Sequence, residues 1–109
     1  AAAELRRVLG VEARRGQQFC GSPDSPDVET SLAGVHFEVK RTERLQLYAA
    51  MQQATDDADG RVPVVLHRAS RKDWVAIVRL DDLPQLAALV AEALSRKDAG
   101  GAVAGGDSP

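Results

Sequence analysis

Val35-His36-Phe37-Glu38-Val39-Lys40-Arg41 alternates apolar and polar residues with the two-residue period of a half-buried β-strand. Val35, Phe37 and Val39 are expected to face a core, and His36, Glu38 and Lys40 to project together from the opposite side. Eleven residues before Glu38 stands Asp27, in Pro26-Asp27-Val28, at the start of a shorter strand that the turn Ser31 to Gly34 joins to this one. If the two strands form a hairpin, two carboxylates and an amine meet in one patch. Carboxylates a few ångströms apart repel unless a cation lies between them. A hard divalent cation with oxygen ligands, magnesium above all, is the natural occupant. Lys40 then stands beside it, placed to orient or help deprotonate a water. The spacing outlines a metal-dependent phosphodiesterase.

The flanking sequence supplies the rest of an α/β domain. Residues 1–10 read as an amphipathic helix carrying Leu5, Val8 and Leu9, stopped by Gly10, and Val11 to Phe19 suits a strand bearing Arg14 and Arg15. Cys20-Gly21-Ser22-Pro23-Asp24-Ser25-Pro26 is dense in turn formers and reads as a loop. Pro23-Asp24 repeats Pro26-Asp27 three residues early, but Asp27 is preferred because it enters the strand. Glu43 to Ala58 lacks glycine and proline and places Leu47, Met51, Ala54 and Ala58 at helical spacing, with Thr42 as N-cap and Asp59-Gly60 as terminator. Val62 to Arg68 reads as a buried central strand, Ser70 to Asp73 as a polar turn, and Trp74 to Leu80 as another strand. Asp81-Asp82-Leu83-Pro84 opens a final helix to about Arg96. The order is αβββαββα without internal repeat, with residues 1–97 as one domain and the Gly/Ala-rich stretch 98–109 as a disordered tail.

Composition is that of a globular protein, 44% hydrophobic and 28% charged. A single cysteine, Cys20, excludes an intrachain disulfide and a cysteine-rich zinc site, and reads as a small buried hydrophobe. No apolar run approaches the ~18–20 residues of a membrane span and no signal peptide is evident, so an intracellular location is expected. The net charge of −2 gives no global drive toward nucleic acid. The bases are local: Arg6, Arg7, Arg14 and Arg15, then Lys40, Arg41 and Arg44, then Arg68, Arg71 and Lys72, while Asp56, Asp57, Asp59, Asp81 and Asp82 gather elsewhere.

With these motifs in this order, the chain resembles the PD-(D/E)XK nuclease superfamily, and within it Holliday-junction resolvases and their phage-encoded relatives. The resemblance runs over residues 1–80. It is carried by Gly21-Ser22, Pro26-Asp27-Val28, Gly34 to Lys40, the helix with Gln46, Tyr48 and Gln53, and Pro63-Val64-Val65-Leu66. It implies a restriction-endonuclease-like core, a mixed β-sheet flanked by helices, and magnesium-dependent hydrolysis of DNA phosphodiesters, with manganese as a substitute. By the same resemblance Asp27, Glu38 and the Val39 carbonyl hold the metal, Lys40 is the catalytic lysine, Ser22 assists, and Gln53 lies near the site, with Gln46 and Gln52 as competitors for that role. Relatives begin with a Glu-Arg-Glu helix whose first glutamate completes the metal site. Here Ala1-Ala2-Ala3-Glu4-Leu5 stands in its place, so either Glu4 supplies that ligand or, with Ala2 at its position, the ligand is missing.

The expected function is therefore a structure-selective endonuclease acting on branched or junction DNA in the cytoplasm of a bacterium or a phage-infected host. Arg14, Arg15, Arg41 and Arg44 are expected to hold the phosphate backbone. A homodimer is implied, since a junction is cut symmetrically. Leu86, Leu89, Val90, Ala93 and Leu94 offer more apolar surface than one helix face needs. The alternatives are a nuclease of the same fold on nicked or flapped DNA, and a catalytically silent DNA-binding or assembly module. Taken singly, His36 and His67 read as surface residues, and Trp74 and Tyr48 as core.

Overall fold

A computed structural model describes residues 1–15 and 28–105, with side chains for 1–14 and 28–96. The elements are α1 (Ala2–Leu9), β1 (Ala13–Arg15), β2 (Val28–Thr30), β3 (Val35–Lys40), α2 (Leu47–Ala58), β4 (Val62–His67), β5 (Val75–Val78), a 3-10 turn (Leu80–Asp82) and α3 (Leu83–Gly105). The five strands form one sheet in the order β1-β2-β3-β4-β5. β3 and β4 are parallel, as the helical crossover α2 between them allows, and every other pair is antiparallel. The chain is thus α/β with a five-stranded mixed sheet flanked by helices.

Register sorts the side chains into two faces. Val35, Phe37 and Val39 stand opposite Val62, Val64 and Leu66, and these six join Leu5, Val11, Ala13, Leu32 and Ala93 in the main core beneath α1 and α3. His36, Glu38 and Lys40 stand opposite Pro63, Val65 and His67 on the other face. There Val65 packs with Ala50, Met51 and Ala54 of α2 in a second, smaller core, with Leu45 and Ile77 against it. The small side chains Ala50, Ala54 and Ala58 are all buried, which lets α2 lie close on the sheet. Two consecutive residues of positive φ, Asp59 at 52° and Gly60 at 85°, end α2 and turn the chain into β4.

The second core changes how β3 is read. Every residue from Val35 to Val39 is buried, so β3 is covered on both faces rather than half-buried. His36, expected at the surface, is only 6% exposed and Glu38 is fully buried, because α2 covers the polar stripe that alternation assigns to solvent.

Other boundaries also move. α2 begins at Leu47 instead of Glu43, with Gln46 at the N-cap making no side-chain capping bond. Thr42 is not its cap: the Thr42 carbonyl accepts a bond from His67 Nε2 at 2.8 Å. The Glu43 carboxylate accepts one from the Ser70 backbone N–H, also at 2.8 Å. Loop-to-loop bonds thus hold residues 41–46 out of the helix. Tyr48, expected in the core, is 84% exposed on the first turn of α2, whereas Trp74 packs against the main core. α3 continues past Arg96 to Gly105, into the tail expected to be disordered. Of the expected dimer surface, Leu86, Leu89 and Ala93 pack on the main core, Val90 is half-buried at a cavity beside α1, and Leu94 is exposed. Among the described residues, no helix is long and apolar enough to cross a membrane.

Candidate functional site

The polar stripe of β3 meets the sheet-facing stripe of α2, and the pairing follows from their opposed directions. β3 runs from His36 to Lys40 while α2 returns, so the early helix lies against Lys40 and the late helix against His36. Gln53 and Asp57, four residues apart, share one helix face. Lys40 Nζ donates to Gln53 Oε1 at 2.7 Å. Of the three glutamines that competed for the place beside the motif, Gln53 occupies it. Gln52 instead donates to Asp56 Oδ1 at 2.9 Å on the exposed side of the helix.

At the other end of the stripe, His36 Nε2 lies 3.1 Å from Glu38 Oε1. Arg61 Nη2 approaches His36 Nδ1 at 3.5 Å, and the same guanidinium donates to the carbonyls of Ala58 at 2.7 Å and Asp57 at 3.3 Å. A guanidinium has only donors, so Nδ1 is the accepting nitrogen and the proton that fits this arrangement sits on Nε2, donated to Glu38. A carboxylate removed from water needs such partners, since burial penalises its charge. His36 therefore fixes the orientation of Glu38 in the way outer-shell groups fix metal ligands.

His36, Glu38 and Asp57 each offer one ligand atom within 4.8 Å of the others, so the group could hold a metal ion. Asp57 and Arg61 were missed in the sequence, where Asp57 read as part of a surface acidic run. The signal that finds Asp57 is its four-residue spacing from Gln53. One nitrogen and two carboxylates suit a transition ion better than magnesium, which prefers an all-oxygen shell. In this structure the Arg61 guanidinium already supplies positive charge beside that group.

The remaining expected residues divide between placed and outside. Ser22 and Asp27 lie outside the described residues, as do Cys20 and the side chain of Arg15. Val28, next in the chain to Asp27, pairs with Phe37, next to Glu38. Val39 pairs with Leu66 in the β3–β4 ladder and its side chain is in the main core. Glu4 stands on the α1 side of the sheet, at a cavity of about 220 Å³ that Phe37, Val64 and Leu66 also line. Its Oε1 is 3.3 Å from the amino group of Ala1, and it is not among the His36, Glu38 and Asp57 ligand group. Arg14 Nε donates to Glu29 Oε1 at 3.0 Å in an exposed cross-strand pair, on the sheet face that carries Glu38. Arg41 and Arg44 are exposed in the loop between β3 and α2.

In comparisons with known proteins, no family model matches the chain, and neither a curated protein nor a solved structure matches it.

Proposed function

We propose that the protein is a metal-dependent DNA endonuclease with a restriction-endonuclease-like core, acting on branched DNA as Holliday-junction resolvases do. The observation that carries this reading is Lys40, held by Gln53 at 2.7 Å on the same strand face as the buried Glu38, at the carboxyl end of the parallel β3–β4 pair. Ligands of α/β sheets bind outside the carboxyl ends of their strands.

Asp27 is bonded to Val28, the partner of Phe37, and Phe37 is bonded to Glu38. That connectivity supports Asp27 and Glu38 as the carboxylate pair that would hold magnesium, with the Val39 carbonyl beside them. When bound, a divalent cation supplies polarisation of the scissile phosphate and a more acidic water. The chain's own contribution is positional. His36 orients Glu38, Gln53 orients Lys40, and Lys40 aligns a water for in-line attack on phosphorus, with the leaving oxygen departing opposite.

The deciding experiment incubates the protein with a synthetic four-way junction and with linear duplex, in magnesium and in chelator. Magnesium-dependent cutting that disappears in Glu38→Ala and Lys40→Ala supports the reading. Binding without cutting at any magnesium concentration sinks it in favour of a silent DNA-binding module.

A further inference from the structure

A basic surface lies next to that site. Residues 40–48 and 67–73 carry six basic side chains (Lys40, Arg41, Arg44, Arg68, Arg71 and Lys72) against two acids (Glu43 and Asp73), in a chain whose net charge is −2. The two segments are the exits of the parallel strands β3 and β4, so the sheet brings them side by side.

They are also tied together. The Arg68 N–H donates to the Lys40 carbonyl at 3.1 Å, His67 Nε2 is bonded to the Thr42 carbonyl, and the Ser70 N–H donates to Glu43. Glu43, the one acid within the cleft between the segments, is thereby spent on organising the turn. The cleft, about 390 Å³, is lined by Arg41, Glu43, Arg68, Ala69, Ser70 and Arg71. Arg68 Nε donates to the Lys72 carbonyl at 2.8 Å, which fixes one edge of its guanidinium.

Two further features lie in or directly follow these segments in the chain. Arg71 has φ of 64° in the turn closed by Lys72 N–H to the Ala69 carbonyl at 3.1 Å, a position where glycine is at ease and arginine is strained. The first turn of α2 has no side-chain cap and no acidic residue, and Tyr48 stands on it 84% exposed. A cationic, cross-braced cleft complements a chain of phosphates.

We infer that the cleft between loops 41–46 and 68–72 is a phosphodiester-backbone site, in which Arg41, Arg68 and Arg71 grip duplex DNA beside the bond presented to Lys40. The inference rests on the nuclease reading and extends it to residues of the β4–β5 turn. Contacts of this kind are blind to base sequence and position the substrate without reading it.

The test is fluorescence anisotropy of labelled four-way junction and linear duplex, in chelator and in calcium, across a salt series, with magnesium-dependent cutting followed separately. Each phosphate contact contributes about 0.9 to the slope of log affinity against log salt. Replacing two arginines, R68A with R71A, should lower the slope by about 1.8, which corresponds to roughly thirty-fold weaker binding near 0.15 M salt. R68K with R71K keeps the slope, and R7A, on exposed α1, changes nothing. R71G separates binding from folding, because it removes the charge while relieving the backbone: binding should fall while the melting temperature holds or rises. A wild-type slope in R68A/R71A overturns the inference and leaves the nuclease reading intact. A lowered slope without cutting in the wild type supports the inference and overturns the catalytic reading. A wild type that binds neither DNA overturns both.

Discussion

Lys40 and Gln53 are joined by a 2.7 Å hydrogen bond from the strand β3 to the helix α2. An ammonium has three donors on a flexible stem, so one carbonyl acceptor restrains where the other two point.

If that restraint positions Lys40 for catalysis, Gln53→Ala should lower the cleavage rate about a hundred-fold with little change in stability, as a displacement near 1 Å does elsewhere. Lys40→Ala should be worse, by about 10²–10⁴-fold. Single-turnover cleavage of a four-way junction gives the rates and urea denaturation the stability. Equal rates for Gln53→Ala and wild type would remove the positioning role.

Glu38 and His36 make a second, independent prediction. In Glu38→Gln the amide oxygen still accepts from His36, so the fold should hold while metal-dependent cutting is lost. Glu38→Ala should in addition lose about 1–3 kcal/mol of stability, the cost of leaving the buried His36 N–H unpaired. Denaturant melts of both variants, alongside calorimetric titration with magnesium and manganese, separate the structural loss from the loss of metal affinity. A Glu38→Gln protein that binds metal like wild type would exclude Glu38 as a ligand.

How far the sequence exposes all this depends on which signals are local. The alternation in Val35 to Lys40 and the β-branched run from Val62 are local, so β3 and β4 are legible, and the Gly-free run to Ala58 announces α2. Which face of β3 is wet is not local. His36 and Glu38 alternate as solvent residues do, and only the close seating of α2 on Ala50, Ala54 and Ala58 buries them. The start of α2 is illegible for a related reason. Thr42 and Glu43 have the chemistry of a helix start, but His67 and Ser70, some 25 residues later, engage them instead.

The Glu43–Ser70 tie makes stability depend on pH. Bonds from Ser70, side chain first and backbone second, hold the Glu43 carboxyl below its ordinary value of about 4.5. A lowered folded-state value means a contribution present above the ordinary value and lost as pH falls through the folded one. Glu43→Gln should therefore melt lower than wild type at neutral pH, and the gap should close in acid. Melting curves from about pH 7 to about pH 3 measure it. A gap that stays constant would mean that Glu43 acts there by shape rather than charge.

Ala54 tests whether the seating of α2 holds the site together. It has no exposed surface and packs on Val65, which also has none. Ala54→Leu adds volume with no space for it and should cost about 1–3 kcal/mol by lifting the helix from the sheet. Gln53 is the next residue, so the Lys40 bond should loosen and cleavage slow beyond what the lost stability explains. Val65→Ala opposite should also destabilise, by lost burial and an opened cavity. Because the two side chains share one volume, the double variant should be more stable than the sum of the single losses predicts, by more than about 0.5 kcal/mol. It should also recover part of the cleavage rate. Strict additivity in denaturant melts would show that α2 does not rest on Val65, and the packing account of how Lys40 and Gln53 meet would fail with it.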